Sequence, residues 1–154
     1  MLDTATENTV QGSIAEAVKL CPVSVLFEVV DNCYAGQYRE NAVRTEIAIN
    51  TVYLTPVEQL STLVHETQHA NCELNKCRCC GTTARALQLS EYHAFKAQVK
   101  YAVNHASIPG LVDCTLSRIR LGTGKNEHLL HRRACKQIIK LRAFKKLEKL
   151  KDFT

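Results

Sequence analysis

The sequence predicts an α+β domain in which a small sheet precedes a set of longer helices. Two observations carry this reading. β-Branched and alternating segments lie in the first third of the chain, and helical periodicity with cap signals dominates the rest. A third bounds it: 154 residues and 17.2 kDa suit one hydrophobic core. With 45% hydrophobic and 23% charged residues, Gly 6 and Pro 3, collagen-like, low-complexity and wholly disordered classes are excluded.

Ser13 to Leu20 places Ile14, Ala17 and Val18 at helical spacing behind a Ser13 cap, and Pro22 ends that short helix. Val23 to Val30, rich in β-branched and aromatic residues, reads as a buried strand, and Asn32 to Asn41 as a connection. In Val43 to Asn50, Val43, Thr45, Ile47 and Ile49 alternate with Arg44, Glu46, Ala48 and Asn50, the period-two pattern of a half-exposed strand. Thr55-Pro56-Val57-Glu58 is the clearest start signal, with Thr as N-cap, Pro at the first helical position and Glu three residues after the cap. The helix it opens runs to about Asn71, with Val57, Leu60 and Val64 as its apolar stripe. A cysteine-rich interruption, Cys72 to Gly81, precedes a second long helix from about Thr83 to Asn104. Pro109-Gly110 then opens a loop with Gly122 and Gly124 near its end, and a last helix extends from about Asn126 to Lys151.

The chemistry sits in His65-Glu66-Thr67-Gln68-His69, an H-E-x-x-H inside the well-capped helix. Residues four apart share a helix face, so both imidazoles can address one metal ion while Glu66 reaches a water on it. With 6 His in the chain, about 0.02 accidental matches are expected, and the plain alternative is two unrelated histidines and a surface glutamate. A catalytic zinc takes three protein ligands. The second helix offers Glu91 and His93. Glu91 falls with Leu87, Ala94, Phe95 and Gln98 on the apolar side and His93 with Ser90, Lys96 and Lys100 on the wetter side, which favours Glu91, since a buried carboxylate needs a partner or a metal. The competing reading is a glutamate at the rim of the stripe, bound to water or lysine.

Leu63 to Ala70 followed by Glu91-Tyr92-His93-Ala94-Phe95-Lys96-Ala97-Gln98 resembles a small zincin of the gluzincin type. The resemblance covers roughly Val43 to Tyr101. It implies a zinc metallopeptidase fold with an edge strand, an active-site helix and a ligand-bearing helix. It also implies zinc on His65, His69 and Glu91, with Glu66 as general base in peptide-bond hydrolysis of a protein or peptide substrate. The strand Val43 to Asn50 would then receive the substrate backbone by β-augmentation. Gly81-Thr82 is not followed by the Asp of aspzincins, and Cys72 and Asn75 stand where metzincins carry Gly and a third His. Tyr92, His93, Tyr101 and His105 are all candidates for the transition-state donor that zincins use.

Eight cysteines pull towards an oxidising compartment, but the N-terminus shows no signal peptide and no apolar run spans a bilayer. A cytoplasmic location is the expectation, with export by a route the sequence does not display as the alternative. Cys72, Cys77, Cys79 and Cys80 are read as free thiols, as a second metal site, or as disulfide partners of Cys21, Cys33, Cys114 or Cys135. His128, His131 and Cys135 share a helix face, a spacing compatible with metal but expected for solvated histidines on a basic helix.

From Asn126 to the C-terminus nine Lys/Arg stand against three acidic residues, a net +6, whereas the body carries eleven against twelve. The organisation expected is therefore residues 1–125 as the zincin-like domain and 126–154 as a basic amphipathic helix packed on it. That helix either presents a solvated lysine face or docks on an acidic partner, nucleic acid or an anionic membrane surface. The functional alternatives to a peptidase are a catalytically silent zincin-like binding module and a DNA- or regulator-associated peptidase that uses the tail.

Overall fold

The computed structural model describes residues 3–29, 35–40, 45–75 and 81–151. Among these the order is α1 (Thr4–Leu20), β1 (Ser24–Glu28), β2 (Gly36–Glu40), β3 (Thr45–Asn50), α2 (Pro56–Asn75), α3 (Ala84–Asn104), α4 (Leu111–Gly122), α5 (Leu129–Ile138) and α6 (Arg142–Lys151). The α+β class holds, with six helices and one three-stranded mixed sheet.

The first helix starts earlier than its apolar stripe suggests. Asp3 is the N-cap, its Oδ1 accepting from the Thr6 N–H at 2.7 Å, and Ser13 lies mid-helix with its hydroxyl on the Thr9 carbonyl. The polar stretch from Thr4 to Thr9 hides a turn and a half of helix, whose only early core contact is Val10.

The sheet corrects four expectations at once. Its order is β1-β3-β2, with β1 parallel and β2 antiparallel to β3, so the alternating strand is the centre and carries no free edge. Ile47, Ala48 and Ile49 are all buried. The alternation misleads because the polar positions are buried with partners. Arg39 on β2 reaches Glu28 on β1 at 2.8 Å and Glu46 on β3 at 3.6 Å, tying the three strands through one guanidinium, and Asn50 Oδ1 accepts from the Val52 N–H. β1 is an edge strand with Phe27 part-exposed rather than a buried one, and β2 forms within the segment read as a connection.

The capping box at Thr55 forms as expected. Thr55 N–H and Oγ donate to Glu58 Oε1 at 3.0 and 2.8 Å. From it α2 runs on to Asn75 and takes Cys72 into the helix. Thr83 caps α3, accepting from Ala86 N–H. Pro109-Gly110 does not open a loop. Gly110, at φ +81°, is the N-cap of α4, whose Leu111, Val112, Leu116 and Ile119 are buried. The expected single last helix is two. The end of α5 tightens into i→i+3 bonds, Lys140 N–H to Gln137 O and Leu141 N–H to Ile138 O, and the chain turns into α6. The break lets Ala134 and Ile138 on one helix and Phe144 and Leu147 on the other enter the same core.

α2 divides the interior. Leu60 faces a helical core built with Phe95, Val99, Leu116, Ile119, Ile138 and Leu147, while Leu63 and Ala70 face Ile47 and Ile49 of the sheet. The basic C-terminal segment is therefore part of the main core. Phe144→Ala should lower unfolding free energy by about 3–5 kcal/mol, whereas Lys146→Ala, on an exposed position of α6, should stay within about 0.5 kcal/mol. Denaturant melts of the two variants check this.

Candidate metal centre

Antiparallel packing of α2 against α3 brings the motif to its partner. Along α2, Ser61, His65 and His69 recur every four residues; along α3, Gln98, Phe95 and Glu91 follow in the opposite sense. His65 Nε2 lies 3.1 Å from Glu91 Oε2, His69 Nε2 3.1 Å from Glu91 Oε1, and the two Nε2 atoms 3.2 Å apart. The candidate ligand atoms of His65, His69 and Glu91 all lie within 4.8 Å of one another, the one such group among the described residues. Ligands about 2.0–2.1 Å from a tetrahedral zinc sit about 3.3 Å from each other. The observed separations match that spacing, so the donor set fits a zinc ion.

The outer nitrogens of both imidazoles are held. His65 Nδ1 is 2.7 Å from Gln98 Oε1, and His69 Nδ1 is 2.9 Å from Ser90 Oγ. Gln98 Nε2 in turn donates to Ser61 Oγ at 2.8 Å. The Phe95 ring stands edge-on to His65 at 4.7 Å, walling off one side. Glu66 is almost fully buried on the sheet-facing side of α2, and its charge is felt at His69. A Cβ on Gly36 of β2 would come within 3.2 Å of Glu66 Cγ and 2.8 Å of Thr62 Cγ2, so glycine is what allows β2 to lie this close to the helix.

One residue of the centre escaped sequence reasoning. His131, expected on a solvated face, turns inward from α5 and places Nε2 3.3 Å from Glu91 Oε2, with its ring edge-on to Phe95. Its neighbours on that face go elsewhere: His128 Nδ1 caps α5 by accepting from Leu130 N–H, and Cys135 is buried where a Cβ on Gly122 would collide with its sulfur. The only sequence signal was the i, i+3, i+7 spacing, which cannot reveal which element a helix packs against. Of the four candidate donors, Tyr92 packs towards the helical core beside His93. Tyr101 stacks on His105, about 15 Å along the helix from Glu91.

Cys77, Cys79 and Cys80, with Cys33, lie outside the described residues. Cys72 is buried on α2, accepting from the Gln68 amide at 3.5 Å. Cys21, Cys114 and Cys135 carry free thiols. Burial pushes the Cys114 thiol up to about 11 and the Cys135 thiol to about 12, so both stay protonated at neutral pH.

No protein-family model, curated protein or solved structure matches this chain. No helix among the described residues is long and apolar enough to cross a membrane.

The electrostatics set a pH window for the metal-free protein. Burial alone would raise the Glu91 carboxyl; hydrogen bonds from His131, His65 and His69 override it and hold the group far below the carboxylate range. Burial likewise opposes charge on His69, but Glu91 outweighs it and raises the imidazole above its ordinary 6.5. A depressed carboxyl contributes stability present above its unfolded value near 4.5 and lost as pH falls below it, whereas a raised histidine contributes below 6.5 and loses it as pH rises past that point. The metal-free melting temperature should therefore peak between about pH 5 and 6 and fall on both sides. Thermal melts across pH, with chelator present, check this.

Proposed function

We propose that the chain is a zinc-dependent peptidase of zincin type that hydrolyses peptide bonds of a protein substrate. The observation that carries the reading is the convergence of His65, His69 and Glu91 within 4.8 Å, beside a buried Glu66 on the same helix. His65, His69 and Glu91 would hold the ion. Zinc in such a site supplies a Lewis acid that lowers the pKa of a bound water and polarises a carbonyl.

The chain's own residues do the rest. Glu66, adjacent in sequence to one ligand and between the two along α2, accepts a proton from the attacking water and delivers it to the leaving amine. Its burial between α2 and β2 excludes competing solvent and limits its rotamers. His131 stands beside the third ligand as the donor best placed to meet negative charge on a substrate oxygen. Substrate backbone is received not at β3, which is central, but at the outer edge of β2, the strand whose Gly36 leaves room for the Glu66 side chain.

Glu66→Gln keeps the shape but cannot accept a proton, so peptide cleavage should fall about 10²–10⁴-fold with zinc stoichiometry and melting temperature nearly intact. His65→Ala should lose both metal and activity, because a ligand is gone. Zinc content, thermal melts and cleavage of a proteome-derived peptide library by both variants separate the roles. Unchanged cleavage by Glu66→Gln would overturn the peptidase reading in favour of a binding module.

Gly36→Ala tests the placement of β2. The added methyl meets the Ala48 carbonyl and Thr62 as well as Glu66, so β2 must shift. Turnover should fall about tenfold or more at unchanged zinc content, measured with the same peptides.

A further inference from the structure

The hydrogen bonds behind His65 form a one-way chain, and its direction can be worked out. Ser61 and Gln98 are both buried, at 4% and 5% exposure. Ser61 Oγ is 2.8 Å from the end of the Gln98 side chain, and His65 Nδ1 is 2.7 Å from the other atom of the same amide. An amide has one donating and one accepting end, so the end given to Ser61 decides what faces the imidazole. Gln98 Nε2 donates to Ser61 Oγ, so the accepting end of the amide is the one turned to the imidazole. Gln98 Oε1 then faces His65 and can only accept, so Nδ1 must carry a proton, and Nε2, 3.1 Å from Glu91 Oε2, is the nitrogen left to face an ion.

The second imidazole is held differently. His69 Nδ1 meets the Ser90 hydroxyl, which rotates and serves as donor or acceptor. His65 is thus the ligand whose Nδ1 proton is imposed by its surroundings, and His69 the one free to adapt.

We propose that Gln98, oriented by Ser61, is a positioning residue of the metal centre that locks His65 in the Nδ1–H form and presents Nε2 to the ion. The role rests on the zinc reading for its purpose, but the proton on His65 Nδ1 is a property of the metal-free chain. It explains why a buried amide and a buried hydroxyl are placed at matching turns of α2 and α3, where two apolar side chains would pack equally well.

The test has two arms on the full-length protein. The first is ¹⁵N-histidine NMR of metal-free protein at about pH 8.5, above the ordinary imidazole range. His65 Nδ1 is expected to be protonated in the wild type and to lose that state in Gln98→Met, which keeps the length of the side chain without its polar atoms. The second is zinc affinity by competition with a chromogenic chelator. Gln98→Met should weaken zinc by about 10–100-fold, and Gln98→Glu, whose carboxylate still accepts from Nδ1–H while Ser61 turns to donate, should restore wild-type affinity or better. Should Gln98→Met fail to fold, Ser61→Ala removes only the group that orients the amide. It should then show a mixture of His65 tautomers and a loss of several-fold in zinc affinity. An unprotonated Nδ1 in the wild type would overturn the proposal, as would wild-type zinc affinity in both Gln98→Met and Ser61→Ala. A wild type that binds no zinc but shows the Nδ1–H form would overturn the metal reading and leave the orientation of His65 by Gln98 established.

Discussion

The arrangement turns on Glu91, a carboxylate placed between helices where little solvent reaches it. An unpaired charge there would be strongly destabilising. Three imidazoles from two other helices surround it, His65 and His69 from α2 and His131 from α5. This obliges α2, α3 and α5 to keep one mutual register, because a slip of a single turn on any of them moves its histidine about 5.4 Å away and leaves the charge uncovered. The most polar point in the interior is thus also the point at which the three helices are fixed to one another.

The apolar packing is organised to support that point. α2 is buried on two sides, towards the sheet through Leu63 and Ala70 and towards the helices through Leu60, and its histidines emerge between the two cores. Phe95, one turn from Glu91, belongs to the helical core and at the same time lines the imidazoles of His65 and His131. The Arg118 guanidinium lies over the same ring at 5.3 Å, so a residue of α4 braces the wall from behind. The C-terminal helices insert Ala134, Cys135, Ile138, Phe144 and Leu147 beneath this wall. A segment that carries most of the net positive charge is for that reason also a structural support of the centre.

Much of this was legible in the chain. The α+β class, the capped α2, the ligand-bearing α3 and the grouping of His65, His69 and Glu91 follow from local rules: cap chemistry, the 3.6-residue period, and the cost of a carboxylate on an apolar face. The failures share a different cause. Glu46 and Asn50 looked solvent-facing because their partners, Arg39 across the sheet and the backbone of Val52, are not predictable from alternation. α4 was hidden behind Pro109-Gly110, a pair that reads as a loop unless the left-handed glycine is recognised as a cap.

By itself the sequence determined which side chains share a helix face, and hence that two imidazoles and a neighbouring carboxylate could serve one ion. Only the tertiary structure decided that β3 is the centre of the sheet, that β2 lies against Glu66, and that His131 joins Glu91. The physical reason is that periodicity encodes the direction of a side chain relative to its own element. What that side chain meets depends on contacts between residues far apart in the chain, such as the 40 positions between Glu91 and His131, and these are set by packing the whole core at once.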